Sequence, residues 1–198
     1  TDGSEPTATS PLYEKIVPVK EALTLKGAIF AHGRQMGKTL ILPVRWNLAT
    51  AKPVLGTNPT EKLLTNGIRG SLKYSDFEWC SWADNDSVSF TIDLLKLEML
   101  NTLILGCITN NGMAIHKPAS VRVEVSDDNS KFREAVVQSF TSEEIFREGN
   151  FIENLSLKLG GTQARYVRVT AKGPGVCPAS HVRPGQTSRI FFDEVMLE

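Results

Sequence analysis

The most conspicuous chemical groups in this chain are an adjacent acidic pair, Asp193-Glu194, and three histidines, His32, His116 and His181. Two carboxylates facing one substrate could do general acid–base work. This pair falls in the final strand candidate, Phe191 to Val195, where neighbouring side chains point to opposite faces. The expectation is that one of them turns inward to a structural partner. The histidines are scattered, with no nucleophile motif such as Gly-x-Ser-x-Gly beside them. Gly33 to Thr39 (GRQMGKT) falls one residue short of the phosphate-binding pattern G-x-x-x-x-G-K-[ST] and lacks a surrounding βαβ pattern, so a turn between strands is expected. Cys80, Cys107 and Cys177 lack Cys-x-x-Cys spacing. They argue against a zinc site or a disulfide framework, while a single bridge stays open. No enzyme is visible in these residues.

The elements that must position these groups read as strands. Leu23 to Phe30, Ser87 to Asp93, Val121 to Ser126 and Arg165 to Ala171 alternate with period two, and Leu40 to Val44 is a short buried run. Asp127-Asp128-Asn129-Ser130 is a turn candidate whose side chains can cap its own backbone, with Asn129 tolerating the left-handed conformation. In Arg165 to Val169, Tyr166 and Arg168 face one way and Arg165, Val167 and Val169 the other, leaving Arg165 to reach solvent or a carboxylate. Helical signals are confined to Leu94 to Met99 and Glu143 to Arg147. Many short strands with regular turn signals predict an all-β sandwich or jelly roll. A domain boundary fits near Ala51-Lys52-Pro53, followed by the turn-rich Gly56 to Thr60.

Composition narrows the function classes. At 41% apolar residues the chain can bury a core, and 22 basic against 22 acidic residues give no net charge. A nucleic-acid binder normally carries a basic excess, so nucleic acid is not expected as a partner. No apolar run approaches the roughly 18 residues of a membrane span.

Two stretches resemble known families. Thr1 to Tyr13, TDGSEPTATSPLY, is similar to the DGSxPTxxSxxY signature of the C-terminal domain of chitobiases and β-hexosaminidases. In that family strands precede the motif. The resemblance implies that residues 1–52 are the end of a truncated immunoglobulin-like sandwich, and that the chain is a C-terminal piece of a longer protein. From residue 53 to 198 the chain resembles a coagulation factor V/VIII type C (discoidin) domain, a superfamily that includes family 32 carbohydrate-binding modules. The matching residues run in order: Leu64 to Gly70, Trp79 and Trp82, then Asp86 with Thr91 to Leu94, then Pro118 to Asn129 with Phe132, then Ala164 to Val169, and finally Phe191 to Val195. Together the two segments resemble the C-terminus of family 20 glycoside hydrolases whose catalytic barrel lies upstream.

That resemblance implies a discoidin-like jelly roll acting as a non-catalytic carbohydrate-binding region of a periplasmic, cell-surface or secreted β-N-acetylhexosaminidase. Its partners would be glycans containing galactose or N-acetylhexosamine and the upstream catalytic domain of the same chain. The implied sugar-binding set is Trp82, Asn110, Asn111, His116, His181 and Arg183, drawn from the loops Asp76 to Trp82, Thr109 to His116 and Cys177 to Arg189. A sugar wants an aromatic platform and paired hydrogen-bonding groups. Where relatives carry further aromatics this chain has Ser180 and Arg189, so stacking falls to Trp82, while Trp79 reads as core. A structural Ca2+ is implied at Asn66, standing where the family has Asp, and Glu194. Membrane insertion is disfavoured by neutral charge and by the lack of an evident exposed apolar pair. The alternative is a structural spacer that binds no sugar.

Overall fold

The computed structural model describes residues 3–14, 17, 19–82 and 87–198. Thr1 and Asp2 of the opening motif, and Asp86, lie outside the described residues. Contacts divide the chain into two compact units, one ending at Trp46 and the other running from Asn47 to Glu198.

In the first unit, β1 (Leu23–Ala31) and β2 (Arg34–Val44) pair antiparallel. His32 and Gly33 join them with φ of 49° and 75°. Two successive left-handed residues make the two-residue hairpin turn whose twist suits the strands it connects. The GRQMGKT segment is therefore this turn and the start of β2. The expected burial of Leu40 to Val44 does not hold throughout: Leu40 and Ile41 are exposed, as are Ile29 and Met36. Among the described residues this ribbon has two strands and no third to cover its faces.

The second unit contains β3 (Val54–Leu55), a 3-10 turn (Glu61–Thr65), β4 (Cys80–Trp82), β5 (Ser87–Asn110), β6 (Ser120–Ser126), β7 (Arg133–Ser139), α1 (Ser142–Ile145), β8 (Asn150–Lys172) and β9 (Ile190–Leu197). Their order is β4-β9-β5-β8-β6-β7, with β3 against β5. Two strands organise the whole. The first half of β5 pairs with the end of β8, which also pairs with β6; its second half pairs with the start of β8 and with β9. The register breaks between Asp93 and Glu98, beside Leu95 at φ 70°, and β8 carries Gly160 and Gly161 at φ 63° and 75°. Both halves feed one core. Phe90 and Ile92 come from the first, Leu103 and Leu105 from the second, and Val123, Val167, Val169 and Phe192 complete it. The long strands thus fold over into two layers, the jelly-roll form of a β-sandwich.

Leu94 to Met99, a helix candidate in the sequence, is instead the irregular middle of β5. Asp93 explains it: its Oδ1 accepts from the Leu95 backbone N–H at 2.8 Å, stabilising a local turn in place of a helix. Arg165 then grips both oxygens of Asp93, at 2.8 and 2.9 Å. This guanidinium holds the Asp93 carboxyl below its usual range. A depressed carboxylate pKa adds stability above its ordinary value near 3.8, and that stability disappears as pH falls through the lower folded value. Asp93→Asn should therefore flatten the acid limb of the stability curve below about pH 4 while lowering stability at pH 7. Urea midpoints measured from pH 3 to 7 will show this, and parallel curves for variant and wild type would refute it.

At Glu143 to Arg147 the helix is real but short. Thr141 caps α1 through a reciprocal capping box with Glu144, and the helix ends at Phe146. Asn129 takes φ 60° in the turn after β6, where Asp128 Oδ1 accepts from the Ser130 and Lys131 N–H groups. The loop between residues 71 and 79 exposes Leu72 and Phe77, an apolar pair the sequence did not make evident. Among the described residues no helix is long and apolar enough to cross a membrane.

Candidate functional site

The acidic pair does not form an active site. Asp193 and Glu194 are both fully buried in β9 and clasp the loop after the 3-10 turn. Asp193 Oδ2 accepts from Arg69 Nε at 2.6 Å and from the Gly70 N–H at 2.9 Å. Its Oδ1 accepts from the Glu194 N–H at 2.7 Å. A Cβ on Gly106 would overlap the Asp193 carboxylate and the Arg69 guanidinium, so only glycine leaves room for this pair.

Glu194 is the less satisfied of the two. Its Oε2 accepts from the Gly67 N–H at 3.1 Å, while Oε1 has no partner. Burial, reinforced by Asp193, pushes its carboxyl up to about 9. Asn66, the other residue of the implied metal set, donates from Nδ2 to Glu78 Oε2 at 2.8 Å and accepts at Oδ1 from the Ile68 N–H. Its oxygen keeps a second lone pair. The unpartnered Glu194 oxygen on β9 and the Asn66 amide oxygen in the loop that β9 clasps are oxygen donors of the kind a hard cation takes.

Trp82 requires correction. The side chain expected to meet a sugar is 8% exposed. β4 pairs with β9, setting Trp82 opposite Ile190. Its ring stacks on Phe90, with centroids 6.2 Å apart and planes 14° from parallel, and leans on Phe192 at 5.6 Å. It belongs to the core and offers no platform. Trp79 is also buried, donating from Nε1 to the Ser71 carbonyl.

The remaining candidates lie at one end of the sandwich. Registers Asn110↔Asn150 and Cys107↔Phe192 set the end of β5, the start of β8 and the start of β9 side by side. The loops leaving those ends are laced together. Ile115 bridges to both Asn110 and Arg189, and the His116 N–H donates to the Arg189 carbonyl. Residues 177–186 close a small hairpin through Cys177–Gln186 and Gly185–Cys177 backbone bonds.

On this frame sit Asn111, His116 and His181. His116 is completely buried, and its ring meets His181 at 4.9 Å and Phe146 at 5.0 Å. Burial and the neighbouring His181 pull the His116 pKa down to about 4, so the ring is neutral. His181 Nδ1 accepts from the Arg183 N–H, and its Nε2 lies 3.3 Å from Asn111 Nδ2. Cys177 approaches Ser188 Oγ at 3.4 Å. All three cysteines are free and buried. The Arg183 side chain is exposed and reaches Gln186, and Asn110 is half-buried at the end of β5. Thus Asn111, His116 and His181 come together, Arg183 joins them through its backbone, and Trp82 lies in the hydrophobic core instead.

Above this cluster opens a cleft of about 420 Å³ lined by Phe146, Arg147, Glu148, Pro178 and Ser180. A smaller recess beside it reaches Asn111 and His181. Phe146 is half-buried; Glu148 and Ser180 are exposed. Arg147 stacks over Phe151 at 3.9 Å, which fixes its guanidinium at the rim. Sequence reasoning missed Phe146, Arg147 and Glu148. The signal was the Thr141-x-x-Glu144 capping box, which fixes where α1 starts and so places Phe146 at its exit.

Comparison with family models gives a match to the F5/8 type C domain over residues 49–182. Among solved structures, CpGH89CBM32-6 from Clostridium perfringens superposes with a TM-score of 0.51 at 18% identity, covering 77% of this chain and 98% of that one. A fucose binding module from Streptococcus pneumoniae gives 0.50 at 16% identity over 85% and 98%. Chitosan-binding module 1 of the chitosanase/glucanase from Paenibacillus sp. IK-5 gives 0.50 at 16% identity over 78% and 99%. At such identities the likeness establishes the fold alone. Comparison with curated proteins gives no match.

Proposed function

The chain belongs to the F5/8 type C domain family, and from that premise we propose that its larger unit is a non-catalytic glycan-binding module holding sugar in the cleft beside Phe146. The observation that carries this reading is the pairing of a half-buried aromatic edge with Arg147, Glu148 and Ser180 around an open cleft. A pyranose presents an apolar C–H face to such a ring and hydroxyls to such a rim. Asn111 and His181 form the floor of the adjoining recess.

The finer reading follows the sequence motifs. The ligand is a glycan containing galactose or N-acetylhexosamine, and the module serves a β-N-acetylhexosaminidase in the periplasm, at the cell surface or outside the cell. Tethering would raise the effective substrate concentration at an upstream catalytic domain even at millimolar affinity. The first unit ends at Trp46 and not near residue 52, because Leu48 and Ala51 bond to Leu197 and Thr65 of the second unit. It is assigned to the end of an immunoglobulin-like sandwich, a reading supported by the apolar Ile29, Met36, Leu40 and Ile41 exposed on the β1–β2 ribbon. A spacer that binds no sugar is the second reading, and the burial of Trp82 and His116 favours it.

Isothermal titration with galactose, N-acetylgalactosamine, N-acetylglucosamine and chitobiose separates the two. Saturable binding by at least one sugar is expected, and Arg147→Ala should weaken it about tenfold, the effect of losing a hydrogen bond from a charged donor. No heat up to tens of millimolar would decide for the spacer.

We also propose a structural Ca2+ held by Asn66 and Glu194. Its role would be to satisfy the orphaned Glu194 oxygen and pin the loop that Asp193 clasps. Calcium should raise the melting temperature of wild type over chelator-treated protein, and Glu194→Gln should erase that increment. Equal melting curves with and without calcium would remove the ion from the account.

A further inference from the structure

Beneath the cleft, three ligand-type atoms converge that the Glu194 site does not use; of their residues only His181 also lines the proposed sugar recess. One ring nitrogen each from His116 and His181 and the Cys177 sulfur lie within 4.8 Å of one another, and all three residues are buried. His116 is fully buried, yet neither of its nitrogens has a hydrogen-bond partner. Buried polar atoms are normally paired, and an exception demands a reason. A second exception lies beside it: Asn111 Oδ1 is also buried and unpartnered, on the amide that touches His181. Ser188 Oγ, at 3.4 Å from the Cys177 sulfur, can donate a hydrogen bond that favours the thiolate.

We propose that His116, Cys177 and His181 form a zinc site joining the two loops that floor the cleft. The donor set decides the metal. Two imidazoles and one thiolate suit zinc and reject calcium and magnesium, which prefer oxygen. Zinc takes four ligands, and three from the protein leave a fourth position for water or for the Asn111 oxygen. Binding displaces the Cys177 thiol proton to solvent and takes a His181 ring nitrogen from its present partner, the Arg183 N–H or the Asn111 amide, so the site takes up one Zn2+ and releases one H+. Bound metal would give a His116 nitrogen the partner it lacks. It would also bind the 177–186 hairpin to the segment following β5, cross-linking residues far apart in sequence. Cys177 and His181 lie four residues apart on one hairpin, and His116 joins them from the segment after β5 through its backbone bond to Arg189, just before β9. The proposal stands apart from sugar binding, since zinc can be loaded with no sugar present.

The test uses the full chain, stripped with a chelator, verified as folded by circular dichroism, and titrated with Zn2+ and with Co2+ as a spectroscopic stand-in. One equivalent of zinc should bind, undisplaced by excess calcium. Cobalt should give a sulfur-to-metal charge-transfer band together with the visible absorption of a tetrahedral ion. Cys177→Ser should abolish the charge-transfer band and weaken zinc by more than the roughly 10–100-fold that loss of an outer-shell partner costs. If that variant does not fold, His181→Gln at the cluster's edge decides, and unchanged zinc affinity there overturns the site. Cobalt binding without a charge-transfer band, or a band that survives Cys177→Ser, also overturns it.

Discussion

Arg69→Ala is expected to lower the free energy of unfolding by about 3–5 kcal/mol, the cost of stranding a buried charge when its partner is removed. For a domain of this size that is a fall in melting temperature on the order of 10 °C. The partner stranded is Asp193, which has no exposure and would keep only backbone N–H donors. This carboxylate ties the last strand to Arg69 and Gly70 in the loop after the 3-10 turn, so the loss should spread to Trp79, whose ring abuts Gly70. Lys96, paired with Glu98 on the surface, provides the control. Lys96→Ala should stay within about 0.5 kcal/mol. Urea denaturation of both variants measures the contrast, and an Arg69→Ala effect no larger than the control would refute the clasp.

Trp82→Ala should cost a similar amount, about 3–5 kcal/mol, because it empties a site packed between Phe90 and Phe192. Sugar affinity of the variant, measured where it is still folded, should equal that of wild type. Trp82→Phe should recover most of the stability. Loss of sugar binding with an unchanged unfolding midpoint would show instead that the ring faces ligand.

Much of the jelly roll was legible because its strands alternate cleanly. Val167 and Val169 turn inward as their period predicts, and Arg165 finds a carboxylate, Asp93. The Asp128-Asn129 turn was readable because its chemistry is local. Asp193 and Glu194 were only half legible: the sequence suggested one inward carboxylate, and both are buried because the clasped loop covers the second. Trp82 was misread for a different reason. In a three-residue strand, inside and outside depend on the partner's register, here β9, which no local pattern reveals. His116 read as a loop residue open to sugar, yet the lacing of Ile115 to Asn110 and Arg189 draws it fully inside. The Phe146 rim was overlooked because a one-turn helix gives too little periodicity to show which way its exit faces.

Glycan binding at the Phe146 cleft is tested most directly by amide chemical-shift mapping of the 15N-labelled chain, titrated with N-acetylglucosamine, N-acetylgalactosamine and galactose. The account predicts saturable shifts for Phe146, Arg147, Glu148 and Ser180, with smaller ones at Asn111 and His181. Shifts confined to another face, or none at saturating sugar, would contradict it.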